Sequence, residues 1–166
     1  MNNVRGYLAE FLVARAVDAT LPRTEWDAFD VLTPDGVKVE VKSSAYLQVW
    51  DQRRLSKIVF TGLRGRIWSP QDGEATDATF NADVYVFCLQ TATSHEHYDA
   101  LDVSQWVFHV LPRTVLEQLN LQSIALSTLR AYSEGSTPYL ELASAIARAV
   151  EMDAAASAKD PQDRLG

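Results

Sequence analysis

The chain has 166 residues, 47% hydrophobic and 22% charged, with a formal net charge of −7 and a pI near 4.9. That length suits one domain with a sizeable core and excludes a second full one. No apolar stretch is long enough to span a bilayer, the N-terminus lacks a charged-then-apolar signal organisation, and the single Cys88 excludes an internal disulfide, so a cytoplasmic protein with no membrane partner is expected.

Residues 3–17 predict an amphipathic helix capped by Asn2 or Asn3, with apolar side chains at three- and four-residue steps. Glu10 interrupts the apolar side, sharing a stripe with Gly6, Ala9, Val13 and Val17. Small residues let such a helix lie close to a sheet. An isolated helix Glu is ordinarily solvated or capping, but these neighbours make Glu10 a candidate functional carboxylate.

The run from Asp30 to Lys42 reads as a β-hairpin. If Pro34-Asp35-Gly36 form a three-residue loop, with Pro preset for the first corner and Gly supplying a positive φ, residues whose numbers sum to seventy face each other. Asp30 then opposes Glu40. Alternation puts Phe29, Val31, Val39 and Val41 on one face, and Ala28, Asp30, Leu32, Lys38, Glu40 and Lys42 on the other. Two carboxylates paired across a ladder repel unless a cation or proton intervenes. Hard oxygen donors suit Mg²⁺ or Mn²⁺, and Lys42 beside them is placed to hold an attacking water or offset charge on a phosphate. A bare Glu-x-Lys is also common on solvated strand faces. Asp27, in the same predicted strand, competes with Asp30 as first ligand, and a one-residue shift of register would favour it.

Together, Arg5-Gly6-Tyr-Leu-Ala-Glu10, Phe29-Asp30-Val31 and Val39-Glu40-Val41-Lys42-Ser43-Ser44 resemble the PD-(D/E)XK, or restriction-endonuclease-like, nuclease superfamily over about residues 3–60. No Pro precedes Asp30; Pro34 lies in the turn instead. The resemblance implies a three-layer α/β/α fold with a central mixed β-sheet and metal-dependent phosphodiester hydrolysis of nucleic acid, DNA in the first instance. It implies Asp30, Glu40 and the main-chain carbonyl of Val41 as ligands of Mg²⁺ or Mn²⁺. Lys42 would assist the nucleophilic water, and Glu10 would support the site from the helix. Nuclease homodimers occur where both strands are cut, but no coiled-coil pattern assigns one here. The competing expectation is a catalytically inactive nucleic-acid- or protein-binding domain of the same fold.

After the motif, Ser44, Tyr46, Gln48 and Gln52 offer polar and aromatic groups for sugar, phosphate or an unstacked base, although Tyr46 and Trp50 also suit packing at a sheet end. Arg53, Arg54 and Lys57 extend the set. Between residues 38 and 66, seven basic side chains face two acidic ones, a local excess of five that leaves the remainder strongly acidic. Such a stretch suits phosphate contacts on a protein whose net charge otherwise repels polyanions.

Ser56–Thr61, Ala82–Leu89 and Gln105–Leu111 predict buried strands, with polar loops at 68–81 and 91–99 between them. Pro112 ends the third strand, and Thr114 and Glu117 have capping-box spacing for a short helix to about Leu119. Ser123–Tyr132 is ambiguous between strand and helix, and Ser136–Val150 predicts a helix with Pro near its start. One domain over 1–151 is expected, with a disordered tail from 152 to 166. His95 and His97 sit in a polar loop without a third ligand nearby, and His109 reads as a packed histidine.

Overall fold

The structure, a computed structural model, describes residues 2–19, 28–50, 52–66 and 77–159. In chain order the elements are α1 (Asn2–Ala16), β1 (Val31–Leu32), β2 (Lys38–Ala45), β3 (Val59–Thr61), β4 (Val84–Gln90), β5 (Trp106–Pro112), α2 (Arg113–Leu119), β6 (Ser123–Ala125), α3 (Leu126–Tyr132) and α4 (Leu142–Lys159). Every residue of β4 is buried, as a continuous apolar run covered on both faces requires. The central sheet runs β1-β2-β4-β5 and is mixed: β2 lies parallel to β4, whereas β1 on β2 and β5 on β4 are antiparallel. Strands β3 and β6 form a separate antiparallel pair. The mixed α/β class expected from the sequence is therefore present.

Alternation along β2 and β4 divides the core. Val39, Val41, Val84, Val86 and Cys88 face Ala9, Leu12 and Val13 of α1 and Leu142, Ile146 and Ala149 of α4. Tyr85, Phe87 and Leu89 face the other way, onto Phe60 of β3, Leu116 of α2, Ile124 of β6 and Leu129 of α3. Each valine or larger apolar side chain removed from water here contributes roughly 1.5–3 kcal/mol. A one-residue slip of β2 would expose its valines and bury Glu40 and Lys42, so packing pins the register. Glu40 is level with Tyr85 and Lys42 with Phe87.

Helix α1 contains both Asn2 and Asn3, so neither caps it from outside. It ends where Asp18 adopts a left-handed φ of 53° and Ala19 N–H donates to the Ala14 carbonyl at 2.9 Å, a closing bond of the Schellman kind. Two other expectations change, at α2 and at the end of α4. The capping box at Thr114 does not form: Pro112, with φ −71°, occupies the cap position and the helix starts at Arg113. Arg113 N–H donates to the Asp83 carbonyl, Thr114 N–H is taken by Asp153 Oδ1 of α4 at 3.1 Å, and Glu117 turns back to Arg113 at 3.7 Å. The ambiguous segment 123–132 is strand and then helix. The boundary expected at residue 151 falls inside α4, which continues through Lys159; beyond residue 151 its alanines sustain helix by propensity without an apolar stripe. Residues 160–166 lie outside the described residues. Among the described residues no helix is long and apolar enough to cross a membrane.

Candidate functional site

Thr33 closes the hairpin loop. Its N–H donates to the Val37 carbonyl at 3.0 Å, its carbonyl accepts Gly36 N–H at 2.9 Å, and its hydroxyl accepts Val37 N–H at 3.0 Å. Gly36 has the positive φ, 85°, that the third loop position demands. Val31 pairs with Val39 and Leu32 with Lys38, the register expected of a three-residue loop. One expected placement fails. Residues 28–30 lie in bends outside β1, so alternation is lost there. Phe29 packs with the Tyr85 cluster rather than beside Val31, and Lys38 Nζ sits 5.7 Å from its ring centroid.

Asp30 extends the ladder by one bond, its N–H donating to the Val39 carbonyl at 3.0 Å. Its side chain then does what the next strand residue would have done: Oδ2 accepts the Val41 N–H at 2.8 Å. The Asp30 carboxylate therefore lies at the β1-side edge of β2, in the plane of the sheet, rather than stacked on the face that carries Glu40. A strand residue's amide and carbonyl share one edge, so the Val41 carbonyl faces the side on which Asp30 sits.

Glu40 and Lys42 meet on the Tyr85 face, with Oε1 2.5 Å from Nζ and only 18% and 21% of their side chains exposed. Burial pushes the Tyr85 phenol up to about 12, and the Glu40 charge adds to the rise. Tyr85 is thus a neutral floor under the ion pair. Gly62, with φ 67°, brings the chain after β3 so close that a Cβ there would stand 3.9 Å from Lys42 Nζ. Neither Tyr85 nor Gly62 was singled out from sequence; a glycine just after a β-run was the only signal.

Glu10 is half-buried on α1. Burial pushes the Cys88 thiol well up, and the negative charges of Asp30 and Glu10 push it the same way. Both carboxylates thus act electrostatically on Cys88, a residue of the core packed on α1, whereas Glu40 and Lys42 lie on the Tyr85 face. Among the described residues, no three or more His, Cys, Asp or Glu side chains gather as a metal cage. Asp30, Glu40 and the Val41 carbonyl are a smaller set of hard oxygens, the chemistry and number that suit Mg²⁺, which commonly takes one or two carboxylates and completes its shell with water and substrate. Asp27 lies outside the described residues.

The loop after β2 is stapled by its glutamines. Gln52 Oε1 accepts Gln48 N–H at 2.7 Å, Gln52 Nε2 donates to Ser56 Oγ at 2.9 Å, and Gln48 Nε2 donates to the same oxygen at 3.2 Å. Their amide donors thus shape the loop. Ser44 is buried, and Tyr46 is half-buried and packed against the Phe87 cluster. Arg53, Arg54 and Lys57 are exposed. Both arginines line an open cleft of about 480 Å³ with Leu47, Gln52 and His95. His97 Nδ1 is 2.8 Å from Ser94 Oγ. His109 is buried and held through Nδ1 to Ser133 Oγ at 3.0 Å, a packed histidine as expected.

Compared with known families, residues 1–100 match the model of bacteriophage T4 endonuclease IV. No curated protein matches the chain. The matched span holds Glu10, Asp30, Glu40, Val41 and Lys42 together with the loop bearing Arg53 and Arg54, and it ends before β5. It supports a nuclease family without singling out the PD-(D/E)XK superfamily. With more than half of its length inside that match, the chain belongs to the bacteriophage T4 endonuclease IV family.

Proposed function

We propose that the chain is a metal-dependent nuclease of the PD-(D/E)XK type, hydrolysing phosphodiester bonds of nucleic acid, DNA in the first instance. The supporting observation is the hydrogen bond from Val41 N–H to Asp30 Oδ2. It ties the first carboxylate to the backbone of the residue between Glu40 and Lys42, which supports a site built around β2. The family match supports the class of reaction.

In this reading Asp30, Glu40 and the Val41 carbonyl hold Mg²⁺ or Mn²⁺. When bound, the ion supplies Lewis acidity toward the phosphoryl oxygen and makes water a better nucleophile. Lys42 donates a hydrogen bond to that water or to a non-bridging phosphate oxygen, and its pairing with Glu40 holds the ammonium in place. Glu10 adds negative potential from the α1 side. Arg53 and Arg54 carry phosphates of the strand beyond the scissile bond, offsetting the repulsion from a net charge of −7.

The test is nicking of supercoiled plasmid, and of labelled single-stranded and branched DNA, with Mg²⁺ or Mn²⁺. Wild type is expected to cut, and Asp30→Ala and Lys42→Ala to lose on the order of 10²-fold or more in rate. Equal cutting by all three would assign the activity to a contaminant. Binding without cutting by any of them would instead identify a non-catalytic nucleic-acid-binding domain.

A further inference from the structure

A second cavity, of about 310 Å³, opens between the start of α1, the loop after β2 and the loop before β5; Arg5, Leu8, Leu47, Gln48, His95 and Tyr98 line it. Its walls are mainly apolar, yet Arg5 Nε and Gln48 Oε1 are buried without a hydrogen-bond partner. Polar atoms desolvated in this way are costly unless a ligand or a water serves them. Burial lowers the Arg5 pKa, and the nearby Tyr98 opposes the shift. Among the described residues no carboxylate pairs with Arg5, and no acidic side chain lines the cavity. Leu47 and His95 also belong to the cleft of Arg53 and Arg54, so the two spaces adjoin.

We propose that this cavity receives one unstacked nucleobase of a single-stranded nucleic acid, whose flanking phosphates lie on Arg53 and Arg54. This rests on the nuclease reading and adds to it a point at which base identity is sensed. Size favours it: the volume is at the small end for ligand pockets and excludes a duplex. Chemistry favours it as well. A base presents a π-face to Tyr98 and to the Arg5 guanidinium, apolar area to Leu8 and Leu47, and edge donors and acceptors to Gln48. Position is consistent too. Leu47, which lines the cavity, follows Lys42 by five residues, at most roughly 17 Å of chain, so one nucleic-acid strand can reach from the candidate catalytic edge to the cavity.

The experiment measures binding of labelled 12-nucleotide single strands, four homopolymers and one abasic backbone, by fluorescence anisotropy in EDTA. Wild type is expected to bind at least one homopolymer about ten-fold more tightly than the abasic strand. Ala100 also lines the cavity, so Ala100→Phe, which fills it, should reduce that ratio to about one, and Arg5→Met should lower it substantially. A ratio of one in wild type, or a ratio unchanged in both variants, would overturn the proposal. Cleavage of the same strands with Mn²⁺ separates the two readings. Cutting without any base preference in binding sinks the pocket and spares the nuclease. A base preference abolished by Ala100→Phe, with no cutting, keeps the pocket and sinks the nuclease.

Discussion

At the scale of single residues, the candidate site depends on one side chain replacing a strand. Asp30 accepts the amide of Val41 just before β1 begins, so Asp30→Asn keeps the shape while removing the charge. It is expected to leave folding near wild type and to abolish Mn²⁺ uptake measured by calorimetry; retained uptake would shift the ligand role away from Asp30. Gly62 is a separate case. A Cβ would make only ordinary contact with Lys42 at 3.9 Å, so Gly62→Ala is penalised chiefly by its φ of 67°, about 1–2 kcal/mol. Denaturant melting reads that loss. At this scale the sequence was legible wherever a turn residue dictated geometry: Pro34 and Gly36 gave the loop, and the loop gave the pairing. It was not legible at Phe29, because nothing in the residues shows where a strand stops and alternation with it. Tyr46 is open to two roles in the sequence, and the structure packs it half-buried against the Phe87 cluster.

Elements make their own demands on the chain. Helix α2 has no side-chain cap of its own, and the Thr114 amide is served across the fold by Asp153. Asp153→Ala should therefore destabilise the protein by about 1 kcal/mol, the usual worth of an N-cap, measurable as a lower denaturation midpoint with unchanged slope. No change would show that water serves that amide equally well. A partner supplied from the far end of the chain is invisible to local spacing, which is why Thr114 and Glu117 suggested a capping box that did not form. Strand β4 was the easiest element to read, since seven consecutive buried positions leave one arrangement, a covered centre strand. Strand β3, three residues long, was overestimated because β-branched residues continue outside the part that pairs. Among site-bearing elements, the order helix, hairpin, Glu-x-Lys was legible from sequence. The hydrogen bond from the Val41 amide to the Asp30 carboxylate was not, because it follows from where β1 begins.

Across the whole molecule, charge and a buried histidine set the response to solution conditions. His109 is fully buried beside Ser133, and burial lowers its pKa below the ordinary 6.5, with Arg130 pushing the same way. The unfolded chain thus binds this proton more readily than the folded one. Its contribution to stability is complete above pH 6.5 and is lost as the pH falls below it. Melting temperature should fall on acidification through that range, and His109→Gln should flatten the dependence; an unchanged profile would assign it to other groups. Basic side chains, though outnumbered, are concentrated after the hairpin. Substituting Arg53 or Arg54 by Ala should weaken DNA binding uniformly across sequences and reduce the slope of log affinity against log salt by about one each. If Asp30, Glu40 and the Val41 carbonyl share a divalent ion, anomalous scattering from a Mn²⁺-soaked crystal should show a single strong peak at the β2 edge, with those three oxygens at about 2.1 Å; a peak elsewhere, or none at millimolar Mn²⁺, would rule that sharing out.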